Sequence, residues 1–589
     1  MMKMLKICMA VLCLGVSVAH AAPMHGIAIM GEPALKKNFA YFPYVNPKAP
    51  KGGKLTLASY AGFDSLNPFI MMGNAPAGMG LTHDTLMKAN ADEPFTLYGL
   101  IAESIDVSAD KRRVTFMLNP AATFNDGSKI SSADVAFSFE TLKEHGAPLY
   151  RTYYRDVERV DTPNDRTVVF YLNKGTKNRE LPLILGQLPV LSKQYWKDKD
   201  FTKTTLEVPV SSGPYLIEDF EPNRYITYKM NPKYWAKDLN VNRGFYNFER
   251  IKYDTYRDST VAVEALKSGL IDWRLENEAK KWIQSRKWDL VKSGKIEAEE
   301  FRHRLPSGMQ GFVFNLRRPL FQDRRVREAL GLVLDFDWIN DKLFQNSYSR
   351  LTSFFDNSDF KAPALPKKGE KKLLQPYLDV LPKDILTKPV RDKAPKSREA
   401  LQQALQLLAQ AGWTVKNGVL QKDDQPFVFE ILIDAASAPT WERIILPYIG
   451  QLKKLGIEAS VKTLDSLAYK AAIDKFDYDM IVAVWGQSLS PGNEQADYWG
   501  SAAADIEGSY NYSGLKNAAV DALIQRIITA ETRAELVEAT QALDRVLLSE
   551  HIVIPHWGSV MHRCLYWNTL AHPQYTPLSG VDILTWWKK

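Results

Sequence analysis

The sequence predicts an α/β protein with several domains, and three features of the chain support this fold class. The chain has 589 residues, which exceeds what one small hydrophobic core organises, so about three domains are expected. Between residues 427 and 485, apolar strand patterns alternate with amphipathic helical patterns. This alternation is typical of a mostly parallel sheet covered by helices. Residues 113–172 contain strand patterns and one helical pattern without a phosphate-binding glycine loop, which indicates an α+β segment.

The first elements follow from local signals. Gly52 and Gly53 precede KLTLAS, in which leucines alternate with polar residues as in a strand. The strand pattern VTFML is followed by FNDG, which predicts a hairpin with Asp-Gly at its tip. Ser131 or Ser132 then caps a helix that Gly146 ends.

Later elements are predicted in the same way. Two strands begin near residues 215 and 226, and a short helix follows with Val261, Ala265 and Leu266 directed inward. Two helices, about 518–530 and 534–548, precede the C-terminal strand IVIPHW.

The first 21 residues have the order of a secretory signal peptide. Lys3 and Lys6 give a positive start, residues 7–18 are almost entirely apolar, and AHA at residues 19–21 is a small-x-small cleavage site. The apolar run is too short to span a bilayer. We therefore expect cleavage after residue 21, secretion as a soluble protein, and no direct membrane anchor.

The charge distribution argues against a nucleic-acid partner. The formal net charge is +7, and no basic stripe is interleaved with aromatic residues. The densest basic patch, KAPALPKKGEKK from Lys361, is rich in proline and is predicted to be a solvated loop. Six prolines between residues 361 and 396 exclude a single regular element there.

Cysteine and histidine patterns offer no catalytic or metal site. Cys564 is the one cysteine beyond the signal peptide, and we interpret it as a small buried hydrophobe. The chain lacks GxSxG, HExxH and CxxC. The spacing of His551, His556 and His562 prevents three imidazoles from sharing one face of a strand. We expect no metal, no cofactor and no enzymatic activity.

Residues 476–501 combine a buried strand pattern with a polar loop between aromatic residues. The strand pattern ends at Trp485, and a loop of Ser, Pro, Gly and Asn leads to Tyr498 and Trp499. Ligands bind beyond the carboxyl ends of strands in helix-covered parallel sheets, so this loop is a candidate binding site. The alternative is an ordinary loop after a strand, with two aromatic residues in the core.

Other aromatic residues beside loops extend the candidate recognition surface. The loop FDSLNPFIMMGNAPAGMG adds adaptable methionines, which either pack beneath it or line a cleft. The aromatic candidates are Trp273, Trp485, Tyr498, Trp499, Tyr510, Tyr512, Trp586 and Trp587.

Ordered segments along nearly the whole mature chain resemble a known family. They are RVTFMLNPAATFNDGSKISSADVAFSFETL, SSGPYLIEDFEPNRYITYKMNPKYW, FNLRRPLFQDRRVREALGLVLDFDWIN, ALQLLAQAGW and FDYDMIVAVW. Together they resemble family 5 of the extracellular solute-binding proteins of ABC importers, the oligopeptide- and dipeptide-binding group. GEPALKKNFAYFPYVNPKAPKGG, WGQSLSPGNEQADYWGS and DILTWW look most like its Yej-type branch, associated with peptides and antibiotics of the microcin C kind.

The resemblance implies two hinged lobes around a cleft, with an extra inserted subdomain. Lobe I would be discontinuous and take residues 22–88, 206–300 and 556–589. The inserted subdomain would be 89–205, and lobe II would be 301–555. In this family, the lobes close over a ligand, and the closed form docks on a membrane permease.

The resemblance also implies partners and a location. The ligand would be a peptide or modified peptide held by main-chain hydrogen bonds, with side-chain pockets that tolerate variety. The other partners would be ABC permease subunits in the inner membrane. The protein would be a periplasmic monomer. The candidate ligand-binding residues are then Met72, Asn74, Trp273, Trp485, Gln487, Ser488, Glu494, Trp499, Tyr512, Trp586 and Trp587.

One position departs from the family pattern. In the oligopeptide-binding relatives, an aspartate three residues after the strand-ending tryptophan pairs with the peptide amino terminus. Here Ser488 stands at that position after Trp485. A neutral hydroxyl cannot supply the charge-assisted bond that an ammonium group favours, so Glu494 or Asp497 would replace it, or the ligand has no free amine there.

Two other functions remain open from the sequence. The same fold binding a sugar, an opine or a metal chelate is one, favoured by Ser488. A secreted hydrolase using a pair of carboxylates is the other, and it would lose turnover when one Asp or Glu is substituted.

Overall fold

The computed structural model describes residues 23–176, 178–390, 397–435 and 437–589. The predicted signal peptide, residues 1–21, lies outside the described residues, so its cleavage stays a prediction. We use central body for the five-stranded sheet and its helices within residues 309–555. We use terminal body for the sheets formed by residues 23–302 and 561–589.

The central body is built on one mixed sheet. The first three strands in its spatial order pair in parallel, and Met309–Phe314 is antiparallel to both of its neighbours. Helices Ala438–Lys454 and Ser466–Asp474 connect the parallel strands, which confirms the predicted alternation. The strand order is Glu458–Leu464, Val428–Asp434, Met480–Trp485, Met309–Phe314 and Val553–Pro555.

Both faces of this sheet are covered by helices, which explains its long apolar strands. Leu432 and Ile481 enter one hydrophobic core, whereas Ile431, Ile433 and Met480 enter another. The first core includes residues of helices Ala518–Thr529 and Arg533–Ser549, and the second includes residues of helices Arg324–Leu332, Ser397–Gln410 and Ala438–Lys454.

The terminal body contains two further sheets that share one core. Leu55 and Ile251 from the first sheet pack in a cluster with Phe301 and Cys564 from the second. Cys564 is buried, as predicted. The first sheet has the order Lys54–Ser59, Arg250–Thr255, Tyr225–Met230 and Tyr215–Glu221, and the second has the order Trp273–Leu275, Met561–Trp567 and Ile296–Arg302.

An antiparallel sheet with its own helices forms an addition to the terminal body, which we name the insert. Helix Ser132–His145 starts where expected, because the Ser131 amide donates to Asp134 Oδ2 at 2.9 Å, and Gly146 follows its last turn. The predicted boundary at residue 89 falls at the end of strand Met87–Ala89. The strand order of the insert is Ala102–Val107, Arg113–Leu118, Thr167–Leu172 and Val157–Asn164.

Two local predictions are wrong. The Asp-Gly turn forms, with Gly127 at φ 88° and one antiparallel bridge between Thr123 and Lys129 across it. The strand Arg113–Leu118 takes no part in this hairpin, because it pairs with Ala102–Val107 and Thr167–Leu172. Val261 is 48% exposed because the helix Ser259–Lys267 turns Ala265 and Leu266 inward.

The proline-rich segment after Lys361 is also different from the predicted solvated loop. It contains helix Lys368–Leu374, and Glu370 is fully buried in an ion pair with Arg545 at 2.9 Å. Leu374 packs into the first core of the central body. Long-range burial therefore overrides the polar local composition.

Shorter elements complete the architecture. The remaining helices are Pro148–Tyr154, Leu181–Gly186, Lys193–Trp196, Ala279–Ser285, Asp289–Lys292, Phe336–Phe344 and Glu494–Trp499. The remaining strands are Gly26–Ala28, Thr96–Gly99, Ser349–Arg350, Thr414–Lys416, Val419–Lys422, Gln425–Pro426, Trp557–Gly558, Leu570–Ala571 and Trp587–Lys588.

Candidate functional site

The base of the predicted binding loop is aromatic and buried. Trp485 ends its strand, and its ring centroid lies 4.6 Å from that of Trp499. The two side chains are 1% and 0% exposed. The indole of Trp485 donates to the carbonyl of Tyr510 at 3.0 Å, and Tyr512 packs on its other side at 5.7 Å. These rings hold the loop in place from within the central core.

A chain of side-chain amides connects this base to the loop. The Trp499 indole donates to Gln495 Oε1 at 3.0 Å, which fixes Gln495 Nε2 as the donor to Gln487 Oε1 at 2.7 Å and to Glu494 Oε1 at 3.0 Å. Gln487 must therefore present Nε2 on its other side. That nitrogen is buried and has no hydrogen-bond partner among the described residues. It is a donor available to a ligand.

The two serines of the loop have different roles. The Ser488 hydroxyl accepts from the amide of Ser490 at 3.1 Å and so supports the turn. Ser490 is 2% exposed, and its own hydroxyl has no partner within the described part of the chain. An unpaired buried hydroxyl is costly, which marks this position as a second free polar group.

Two carboxylates meet at Gly492, one from the insert and one from the loop. An ideal Cβ at Gly492 would lie 3.5 Å from Glu180 Oε1 and 3.4 Å from Glu494 Oε2. Burial raises the pKa of Glu180, and the charge of Glu494 raises it further, whereas Arg179 lowers it. Asp497, the other acid considered from the sequence, is exposed.

Arg179 attaches the insert to the central body. Its guanidinium donates to the carbonyls of Pro491, Ile527 and Ala530 at 2.9, 3.2 and 3.1 Å. Arg179 forms no direct ion pair with Glu180 among the described residues, although its charge acts on both Glu180 and Glu494.

A cleft of about 1110 Å³ opens between the two bodies. Several of its cations are already paired with carboxylates: Lys361 with Asp356 at 2.6 Å and Arg533 with Asp359 at 2.8 Å. Arg533 also donates to the carbonyl of Leu489 at 2.6 Å, which joins the cleft wall to the binding loop. The residues that line the cleft include Pro94, Arg302, Arg304, Leu578, Arg350, Asp356, Asp359, Lys361, Leu489 and Arg533.

The other predicted residues lie apart from this loop. Met72 is 67% exposed, and Asn74 is exposed in the same loop, where its backbone binds Asp64. Trp586 is buried in the terminal core beside Trp273 at 6.4 Å, and Trp587 forms a short strand with residues 570–571. Their roles as ligand contacts stay predictions.

The structure therefore brings together Trp485, Gln487, Ser488, Glu494, Trp499 and Tyr512. Sequence reasoning missed Glu180, Arg179, Gln495 and Ser490. Gln495 and Ser490 lie within residues 476–501, so the polar character of the predicted loop could have indicated them. Glu180 had no local signal, because its role depends on the docking of the insert.

Membrane-spanning helices and metal-binding clusters are both absent from the described residues. No helix in the described ranges combines the length and apolar character needed to cross a bilayer. The same residues contain no group of three or more His, Cys, Asp or Glu side chains placed to hold a metal ion.

Comparisons with known proteins agree with this architecture. The model of bacterial extracellular solute-binding proteins, family 5 Middle, matches residues 96–507. The probable peptide-binding protein YejA of Agrobacterium fabrum is 39% identical over 578 residues, covering 95% of this chain and 93% of the relative. The peptidoglycan-binding protein YepA of the same organism is 35% identical over 591 residues, covering 97% and 95%.

A solved structure shows the same fold. The oligopeptide-binding protein AppA from Bacillus subtilis, in complex with a nonapeptide, has a TM-score of 0.61 at 20% identity and covers 92% of this chain and 100% of its own. The chain therefore has the two-lobed fold of these binding proteins. The chain belongs to the bacterial extracellular solute-binding proteins, family 5.

Proposed function

We propose that this chain is the periplasmic solute-binding component of an ABC importer, and that it captures peptides or peptide-like compounds and delivers them to the membrane permease. The observation that carries the proposal is the cleft of about 1110 Å³, which residues of both bodies line. A concave site between two bodies encloses an extended ligand and is accessible when the bodies separate. The proposed function involves no catalytic step.

The proposed mechanism is closure of the two lobes around the ligand. The chain passes between the bodies near residues 302–308 and 556–560, and such short connections are suited to act as hinges. The lobes would have the boundaries predicted from the sequence, with residues 1–21 removed during secretion.

Main-chain recognition fits the free polar groups of the loop. Gln487 Nε2 and the Ser490 hydroxyl are buried without partners among the described residues, and peptide carbonyls and amides would satisfy them. The names of two relatives refer to peptides and to peptidoglycan, so both plain peptides and peptides linked to sugars are candidate ligands. Modified peptides of the microcin C kind belong to the same class.

A pool of tripeptides to hexapeptides tests the proposal with two measurements on the mature protein. We expect the radius of gyration from X-ray scattering to fall and the melting temperature to rise, because a ligand that binds the closed form stabilises it. Chromatography of the pool afterwards would recover intact peptides. Unchanged scattering and melting across the pool would contradict peptide capture, and progressive cleavage would favour the hydrolase.

A further inference from the structure

We propose that Arg179 is a latch that holds the insert on the central body when the two lobes close, and that it sets how long a captured ligand is retained. The inference rests on the proposed function, because it assigns a positioning residue to the closure step. It also gives the insert a role in ligand capture. The latch consists of the three hydrogen bonds from the Arg179 guanidinium to the carbonyls of Pro491, Ile527 and Ala530.

The insert is joined to the terminal body by a shared hydrophobic core. Phe69 and Leu86 of the terminal body are buried in the same cluster as Leu185 of the insert. The amide of Leu86 also donates to the carbonyl of Leu188 at 3.1 Å. Apolar surface of this kind is costly to expose to water, so the insert should move together with the terminal body when the lobes open.

The insert meets the central body through polar contacts instead. No hydrophobic cluster of the described residues combines side chains of the insert with side chains of the central body. The hydrogen bonds that the described residues form between these two parts all start from Arg179. A small polar interface between parts of one chain can separate, which makes this contact suited to form and break with closure.

The Arg179 guanidinium contacts two separate segments of the central body. At the end of helix Ala518–Thr529, it donates to the carbonyls of Ile527 and Ala530 at 3.2 and 3.1 Å. Carbonyls at a helix C-terminus carry partial negative charge, so a cation is favourable there. The third bond, at 2.9 Å, reaches the carbonyl of Pro491 in the binding loop.

The latch also acts on the candidate ligand site, because Pro491 follows Ser490 in the binding loop. The carbonyl of Leu489 accepts from Arg533 of the central body at 2.6 Å, and the carbonyl of Pro491 accepts from Arg179. The two arginines therefore hold the carbonyls on either side of Ser490, whose buried hydroxyl has no partner among the described residues. Separation of the insert would release one of these two contacts and loosen the ligand site.

The charges around Arg179 favour a cation at this position. Docking of the insert brings Glu180 close to Glu494 at Gly492, and the repulsion between the two carboxylates opposes docking. The charge of Arg179 acts on both carboxylates and reduces this repulsion. Glutamine at residue 179 would keep an amide donor, but it would lose the charge and the forked geometry of the guanidinium.

A contact that exists only in the closed form slows ligand release more than it speeds ligand capture. The open form receives the ligand before Arg179 reaches the central body, so association does not depend on the latch. Release requires the lobes to open, and Arg179 must then leave its three carbonyls. The latch therefore predicts an effect on the dissociation rate with little effect on the association rate.

Stopped-flow tryptophan fluorescence of the mature protein, with pentaalanine as the ligand, measures both rates. We expect Arg179→Gln to raise the dissociation rate by about tenfold or more and to leave the association rate within about twofold of the wild type. Arg179→Lys keeps the charge but lacks the fork, so its dissociation rate should lie between those of the wild type and Arg179→Gln. Arg155→Gln, at an exposed arginine of the insert, should match the wild type.

Three results would contradict the latch. An unchanged dissociation rate in Arg179→Gln would overturn it and leave peptide capture intact. Slower association together with a lower melting temperature of the empty Arg179→Gln variant would overturn it as well, because Arg179 would then support the fold in both forms. Failure of the wild type to bind pentaalanine or any member of the tripeptide-to-hexapeptide pool would overturn the proposed function together with the latch.

Discussion

The charged residues of the cleft wall and the carboxylate pair of Glu180 and Glu494 differ in how their charges are compensated. In the wall, Lys361 and Arg533 each lie against an aspartate, at 2.6 and 2.8 Å. At Gly492, Glu180 and Glu494 face each other, and neither forms a direct ion pair among the described residues, although the charge of Arg179 acts on both. A charge with an ion-pair partner in the protein needs no further partner. Two like charges without such a partner repel each other, and a cationic ligand group would stabilise them. We therefore expect the wall to have a structural role and the Glu180–Glu494 pair to take part in recognition.

Trp485→Ala should give the largest effect, because it removes the aromatic base that holds the loop after strand Met480–Trp485. A fully buried tryptophan truncated to alanine leaves a cavity, and we expect a loss of about 3 to 5 kcal/mol in the free energy of unfolding. Urea denaturation measures it, and Trp485→Phe should lose less. A folded Trp485→Ala variant with unchanged stability and weakened peptide binding would instead make this indole a direct ligand contact.

Arg533→Gln tests the compensated side of the comparison. The substitution leaves Asp359 without its cation and the Leu489 carbonyl without its donor, so we expect unfolding to become easier by about 1 to 2 kcal/mol. Arg224→Gln, at an exposed turn in the terminal body, should leave the melting temperature unchanged. If Arg533→Gln weakened the binding of pentaalanine without loss of stability, the wall would belong to recognition.

The pH dependence of binding should separate the two regions further. Burial and Glu494 raise the pKa of Glu180 above 4.5 in the empty protein, and a bound ammonium would lower it again. The liganded protein then holds fewer protons, so affinity for pentaalanine should rise with pH through the range in which Glu180 titrates, and it should fall again where the α-ammonium of the peptide loses its proton, at about pH 8. The slope for one proton is at most about 1.4 kcal/mol per pH unit.

Calorimetry of pentaalanine from pH 4.5 to 8 would measure this slope. Glu180→Gln should flatten it, whereas Arg533→Gln should leave it in place. A slope that persists in Glu180→Gln would assign the titration to another group.

Ser488→Ala should give the smallest effect. The hydroxyl accepts one local hydrogen bond from Ser490, so we expect a loss of less than about 1 kcal/mol in stability and less than a threefold change in affinity for pentaalanine. Thermal melts and calorimetry measure both. A loss of tenfold or more in affinity would instead make Ser488 a direct ligand contact.

Much of the fold was predictable because its signals are local. The capped helix from Ser132 and the parallel strands of residues 427–485 follow from capping residues and apolar periodicity. The prediction of a solvated loop around Glu370 was wrong, because the lysines and prolines of this segment gave no sign of the buried ion pair between Glu370 and Arg545. Local composition carries no information about such a partner.

The candidate site was predictable only in part. The strand to Trp485 and its loop were identified from the sequence. The sequence left open whether Trp485 and Trp499 contact a ligand or pack in the core, and the structure shows that both side chains are buried in the core. The meeting of Glu180 with Glu494 depends on how the insert docks, which no periodicity encodes. The sequence therefore located Glu494 and missed Glu180.

Native mass spectrometry of the purified mature protein tests the central claim most directly. We expect a complex heavier than the chain, whose released ligand fragments as a peptide or peptide conjugate. A released ligand without an amide bond would contradict it, as would an empty protein that stays empty after incubation with the peptide pool.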